Sequence, residues 1–103
     1  MVQIPVVYKE WVMRDCSWHF LVDNVRGGRL FSLRECSTHA ELIEMAQEDY
    51  NFGKRADLVE LTYSLPAAML GSDSPPIHVT NDRQVQSMID LASNHSIRLC
   101  VLV

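Results

Sequence analysis

The spacing of hydrophobic and polar positions changes twice in the last third of the chain. Ile77 and Val79 alternate with polar neighbours, which is typical of a half-buried strand. Asn81, followed three residues later by Gln84, forms a capping box that predicts the start of a helix. The predicted helix has one apolar face, formed by Val85, Met88, Ile89 and Ala92. Residues 97–103 are almost wholly apolar, so we expect a central strand covered on both faces.

The first third of the chain alternates over longer stretches. Residues 4–14 and 18–22 are rich in β-branched and aromatic side chains, which favours two strands joined by a short turn. Residues 23–28 end in two glycines, which are free to adopt positive φ in a turn. Residues 29–33 alternate again and predict a further strand. This part of the chain is therefore a β-hairpin or a three-stranded meander, and the pattern favours neither.

The middle of the chain begins with a second capping box, Thr38 with Glu41, which predicts another helix. Its apolar face is formed by Leu42, Met45, Ala46 and Asp49 or Tyr50. We expect Gly53 to end this helix as its C′ residue. Residues 58–65 predict a strand with one buried face, and the prolines and serines of residues 66–76 predict a long surface loop.

The order of these elements predicts an α+β fold. Two or three strands, a helix, two strands, a second helix and a last apolar strand form the arrangement of a ubiquitin-like β-grasp domain. We expect a mixed sheet of four to five strands and two helices. A ferredoxin-like sandwich, with the order βαββαβ, is the second interpretation.

The length of 103 residues predicts one domain with a single core. The 48% hydrophobic and 21% charged residues are typical of a globular protein rather than a disordered one. No apolar run is long enough for a membrane span, and no signal peptide is evident at the N-terminus, so we expect a soluble chain that is not secreted. The three cysteines cannot all pair with one another, which favours a reducing compartment, the cytosol or the nucleus.

Two Cys/His pairs have the same internal spacing, Cys16 with His19 and Cys36 with His39. A Cys₂His₂ set can bind zinc, but residues three apart on a strand point to opposite faces, so we expect ordinary thiols and imidazoles and no metal. The sequence has no Gly-x-Ser-x-Gly motif and no phosphate-binding loop. We therefore expect no enzymatic activity, no cofactor and no small-molecule substrate.

Basic residues are concentrated in the first third of the chain, where Lys9, Arg14, Arg26, Arg29 and Arg34 occur, and most acids follow later. Complementary surfaces of this kind favour specific pairing of domains, although ordinary solvated faces explain the pattern equally well. The net charge of −4 argues against nucleic-acid binding by this domain alone.

Several motifs occur in a characteristic order. They are Trp18-x-Phe20 with Asp23, Gly28-Arg29-Leu30, Leu42, LTYSLP at 61–66, PPIHVTNDRQVQ at 75–86 and RLCV at 98–101. This series covers nearly the whole chain and resembles the N-terminal domain of plant Mutator-like (MuDR) transposases and transposase-derived proteins. Those domains are similar to the Phox/Bem-type β-grasp, in which an acidic loop and helix of one copy bind a basic first strand of another.

The resemblance implies a non-enzymatic domain for protein–protein interaction or oligomerisation in a nuclear, transposase-like plant protein. The implied basic face contains Lys9, Arg14 and Arg29, and the acidic face contains Asp73 and Asp82. The partner would be a second copy or another β-grasp domain. The alternatives are an accessory DNA-contacting module of a transposase and a small domain stabilised by zinc.

Overall fold

The computed structural model describes residues 2–53, 58–65 and 75–103. This part of the chain contains six strands and two helices: β1 (Val2–Arg14), β2 (Ser17–Val22), β3 (Arg29–Leu33), α1 (His39–Tyr50), β4 (Glu60–Tyr63), β5 (Ile77–Val79), α2 (Asp82–Ala92) and β6 (Leu99–Leu102). None of the described helices has the length and apolar character needed to cross a membrane.

The strands form one mixed sheet in the order β2-β1-β6-β4-β5, with β3 also paired to β1. The first and last strands run parallel, and the other neighbours are antiparallel. The last strand thus lies at the centre of the sheet, where Leu99, Cys100 and Val101 are all buried. This arrangement confirms the prediction of an α+β, β-grasp fold rather than a ferredoxin-like sandwich.

The N-terminal region is a single long hairpin with an interrupted second strand. Arg14 lies opposite Ser17, and the two residues between them, Asp15 and Cys16, both have positive φ (52° and 61°), which is typical of a two-residue type I′ turn. Lys9 pairs with Val22, and Val6 pairs with Arg29. The two positions on β1 are three residues apart in the chain, whereas their partners are seven residues apart. Residues 23–28 are the insertion that divides the partner strand into β2 and β3.

Both predicted capping boxes begin helices. The Thr38 hydroxyl accepts a hydrogen bond from the Glu41 backbone N–H (3.2 Å), and the Asn81 side chain accepts one from that of Gln84 (3.0 Å). The prediction that Gly53 is the C′ residue of α1 was wrong. Asn51 takes the left-handed conformation there, with φ 52°, and its N–H donates to the Gln47 carbonyl. Asn tolerates this conformation better than most residues, so the helix ends without glycine.

The core lies between the helices and one face of the sheet. It includes Ile4, Val6, Phe31, Leu33, Leu42, Ala46, Leu61, Val79, Val85, Met88, Leu99 and Val101. The helical contributions come from the predicted apolar faces of α1 and α2. We call the sheet face that packs on the helices the inner face and the opposite one the outer face.

The outer face is partly covered by the end of the long hairpin, residues 9–22, which we call the hairpin arm. Thr62 and Cys100 alternate with core residues and therefore point to the outer face, yet they are 0% and 1% exposed. The Trp11 indole N–H donates to the Thr62 hydroxyl (2.8 Å), although Thr62 lies two strands away from β1. This contact shows that the hairpin arm folds across the outer face and buries its centre.

Candidate interaction surfaces

Lys9 lies in the hairpin arm at the point where pairing with β2 begins. Its side chain is exposed, and it is on the same side of β1 as Trp11, because residues two apart along a strand share a face. Trp11 packs edge-on against Phe20, with ring centroids 5.2 Å apart. Lys9 is thus an exposed cation at the border of an aromatic cluster, and no hydrogen bond or ion pair joins its side chain to another residue of the described part.

Arg98 is a cation near the same cluster that was not predicted as a site residue. Its guanidinium carbon lies 5.7 Å from the centroid of the Phe20 ring, and the residue as a whole is exposed. Only the folding of the hairpin arm brings Phe20 close to the beginning of β6, so no local pattern could have indicated this contact. We call Lys9 and Arg98 the basic surface.

Arg14 and Arg29 do not belong to this surface. Arg14 is exposed at the end of β1, beside the hairpin turn, and on the opposite side of the strand from Lys9. Arg29 is paired with Val6, a core residue, and therefore lies on the inner side of the sheet. The three residues predicted to form one basic face are thus distributed over three places.

Arg29 is engaged within the molecule. Its guanidinium donates to the carbonyls of Arg26 (2.8 Å), Gly28 (3.0 Å) and Asp49 (3.3 Å), and it lies 5.1 Å from the centroid of the Tyr50 ring. A cation beside the last carbonyls of a helix is favourable because those groups carry partial negative charge. The geometry gives Arg29 a structural role at the C-terminus of α1.

Arg26 reinforces the same junction. It donates to the Tyr50 carbonyl (2.8 Å) and lies over the rings of Tyr8 and Phe52, at 5.1 and 5.9 Å from their centroids. Burial raises the pKa of the Tyr50 phenol, and the hydroxyl, held in its neutral form, donates to the Val6 or Gly27 carbonyl, each 3.2 Å away. These contacts attach residues 23–28 to α1.

The acidic residues are concentrated on the helices, on the other side of the sheet. Asp82 is exposed at the start of α2, where its carboxylate accepts a hydrogen bond from the His39 backbone N–H (2.8 Å). Asp73, the other predicted acidic site, lies outside the described residues. The helix α1 has no lysine or arginine. Its four acidic residues are all exposed: Glu41, Glu44, Glu48 and Asp49. We call these four residues and Asp82 the acidic surface.

The charges of the two surfaces are not neutralised by each other. Among the described residues, the ion pair within 4.0 Å is that of Arg26 with Asp23, at 3.8 Å. The basic surface lies on the outer face of the sheet, whereas the helices that carry the acidic surface pack on the inner face. Lys9 and Arg98 therefore lie on the opposite side of the sheet from the carboxylates of the acidic surface, and both sets of charges are exposed within the described part of the chain.

The two Cys/His pairs do not converge on one site. Cys16 lies in the turn after β1 ends, and Cys36 follows β3, which pairs with the beginning of β1, so the pairs lie at opposite ends of a 13-residue strand. Within the described part of the chain, no three His, Cys, Asp or Glu side chains are grouped in a way that could hold a metal ion. Burial raises the pKa of the Cys100 thiol to about 11, which keeps it protonated and unreactive at neutral pH.

The described part of the chain has clefts that are lined by polar side chains. One cleft of about 360 Å³ lies between the ends of β1 and β3 and α2, where Glu35 and Asp90 contribute carboxylates. The Gln86 side-chain amide donates to the Glu35 carbonyl at this place. A cleft of about 150 Å³ beside β4 and β5 is lined by His39, His78, Glu60 and Thr80 together with apolar residues.

Comparison with known protein families, with curated proteins and with solved structures finds no match to this chain.

Proposed function

We propose that this chain is a non-enzymatic protein-interaction domain, in which the basic surface binds an acidic surface of a partner domain. One observation carries the proposal: the exposed cations Lys9 and Arg98 and the exposed carboxylates of α1 lie on opposite sides of the same small fold. Complementary charged patches accelerate encounter and fix the relative orientation of two proteins. Because the acidic surface of a second copy is complementary to the basic surface, self-association is the simplest form of this activity.

Lys9 is the residue on which the proposal depends most directly. It is exposed and has no hydrogen bond or ion pair to another described side chain, so its charge is free to act between molecules. Arg98, with its guanidinium 5.7 Å from the centroid of the Phe20 ring, is the second cation of this surface.

A charge-reversal experiment tests the proposal. We expect the molar mass of the parent protein, measured by light scattering, to rise with concentration at about 50 mM salt and to be lower at about 500 mM, because salt screens exposed charges. Lys9→Glu should weaken this association at least about tenfold, since it places a carboxylate opposite the carboxylates of the partner.

Arg34→Glu is the matched control, because it changes the net charge equally. Arg34 is exposed just after β3 and far from Lys9 along the sheet, so association should be nearly unchanged. Equal association of Lys9→Glu and the parent would refute the basic surface. A steep, salt-dependent binding to duplex DNA that Lys9→Glu abolishes would replace the protein partner with nucleic acid.

The placement of the domain in a MuDR transposase-like, nuclear plant protein is part of the same proposal. Its support is the ordered series of motifs from Trp18-x-Phe20 to RLCV. The β-grasp fold is compatible with that family, although the acidic surface is spread along α1 and is not confined to the loop and second helix. Isolation of the complete protein and detection of a catalytic domain beyond these residues would test this parentage.

A further inference from the structure

The two edges of the sheet differ in how they are protected against pairing with another strand. β5 forms one edge; it has three residues and follows two prolines. Short strands and prolines are common protective devices at sheet edges. β2 forms the other edge with six residues, SWHFLV, which include no Lys, Arg, Asp, Glu, Pro or Gly. The residues of β2 themselves therefore provide no protective proline or charge at this edge.

Alternate residues of β2 direct their backbone N–H and C=O groups to opposite sides of the strand. The Asp23 N–H donates to the Tyr8 carbonyl (2.8 Å), so the odd-numbered residues of the strand direct their backbone groups towards β1. The alternate residues, Trp18, Phe20 and Val22, therefore direct theirs towards the free edge. No described residue forms a hydrogen bond with these outward groups.

We propose that β2 pairs antiparallel with β2 of a second copy, about a two-fold axis at Phe20. This inference names one partner for the proposed interaction domain and rests on that proposal. The register places Phe20 opposite Phe20 and Trp18 opposite Val22. In this register all three outward-directed residues form hydrogen-bonded pairs, and every side chain meets one from the same face of the partner strand.

The choice of a second copy follows from self-complementarity. If the pairing of the two β2 strands shifted by one residue, backbone groups directed towards the free edge would lie opposite groups directed towards β1. Side chains from opposite faces of the two strands would then be paired. The paired segment includes no formal charge, so two copies do not repel each other there. An isologous contact of this kind closes after two subunits.

Charge complementarity appears at both ends of the pair. The same register places Asp23 of the second copy opposite Ser17, which is itself opposite Arg14 on β1. Arg14 and the Asp23 of the second copy then lie in one row on the same face, two strand spacings or about 10 Å apart at their Cα atoms. An extended arginine can reach a carboxylate over this distance, and Arg14 would share the Asp23 carboxylate with Arg26 of the same copy as Asp23, which lies 3.8 Å from it. The two-fold axis repeats this contact.

A register-specific cross-link tests the inference. His19 of one copy lies opposite Leu21 of the other at a position that is not hydrogen-bonded, where Cα atoms are about 4.5 Å apart, within the range of a disulfide. His19→Cys and Leu21→Cys are made separately, each with Cys16→Asn and Cys36→Ser to remove the exposed thiols. We expect an equimolar mixture to form the disulfide dimer at least about tenfold faster than either variant alone, because identical positions are about 7–8 Å apart diagonally.

Equal rates in the mixture and in the single variants, or no dimer in any sample, would overturn the inference. Thermal unfolding of each variant verifies that it is folded. If Leu21→Cys does not fold, Ser17→Cys mixed with Asp23→Cys examines the same register.

Light scattering on the same samples separates the two proposals. Lys9-dependent growth of mass without a cross-link refutes the β2 pairing alone, whereas a cross-linked dimer that is insensitive to Lys9→Glu refutes the basic surface alone.

Discussion

Thr62 is the residue that attaches the hairpin arm to the rest of the sheet. Its hydroxyl accepts from the Trp11 indole (2.8 Å) and donates to the Cys100 carbonyl (2.8 Å), and the side chain is fully buried. A single hydroxyl thus serves both a donor from the arm and an acceptor from the central strand. Buried polar groups require such partners. If one partner of a buried hydrogen bond is removed, the other has neither that bond nor the hydrogen bond to water that it would form in the unfolded chain.

Thr62→Val should lower the free energy of unfolding by about 1–3 kcal/mol, because it keeps the shape of the side chain but leaves the indole N–H without its acceptor. Urea denaturation followed by tryptophan fluorescence measures the change. Thr62→Ser retains the hydroxyl and is the control for the hydrogen bonds. If the valine variant is as stable as the serine variant, the contact between arm and sheet is not held by this hydroxyl.

Among the elements, the junction between residues 23–28 and the end of α1 has the densest cationic contacts. Arg29→Ala removes three hydrogen bonds to carbonyls and the contact with Tyr50, and should lower the free energy of unfolding by about 1–2 kcal/mol. Association that depends on Lys9 should remain unchanged. Arg34→Ala, which changes an exposed arginine beyond the other end of β3, should have little effect on stability. If the Arg29→Ala variant were as stable as the parent but associated more weakly, Arg29 would belong to the interaction surface and would have no structural role at the end of α1.

Helices and strands that are marked by a pattern of neighbouring residues could be predicted from the sequence. Contacts between residues that are far apart in the chain could not. The capping boxes and the apolar strand at the end of the chain identified both helices and the centre of the sheet. The long hairpin was ambiguous, because the insertion at residues 23–28 changes the register without changing the alternation on either side. The role of Arg29 depends on α1, 20 residues away in the chain. Arg98 approaches Phe20 only after the arm has folded across the sheet.

At the scale of the whole molecule, the charged surfaces and the β2 edge respond differently to the solvent. Association through Lys9 and Arg98 depends on exposed charges and should weaken with salt. Pairing through β2 depends on backbone hydrogen bonds and apolar side chains, so salt should alter it little. A dimer that persists at high salt and a larger, salt-sensitive assembly can therefore coexist in the same protein.

A pair of double variants tests the β2 dimer through its effect on thermal stability. Because association stabilises the folded state by mass action, the Tm of the parent should rise by a few degrees for each roughly tenfold increase in protein concentration. His19→Lys with Leu21→Lys places like charges opposite each other across the two-fold axis and should abolish this dependence. His19→Lys with Leu21→Glu places opposite charges there and should retain it, even at about 500 mM salt, where exposed charges are largely screened. Since each variant carries charges at the same two positions, a general loss of stability lowers both Tm values, and only pairing in the proposed register makes their concentration dependence differ.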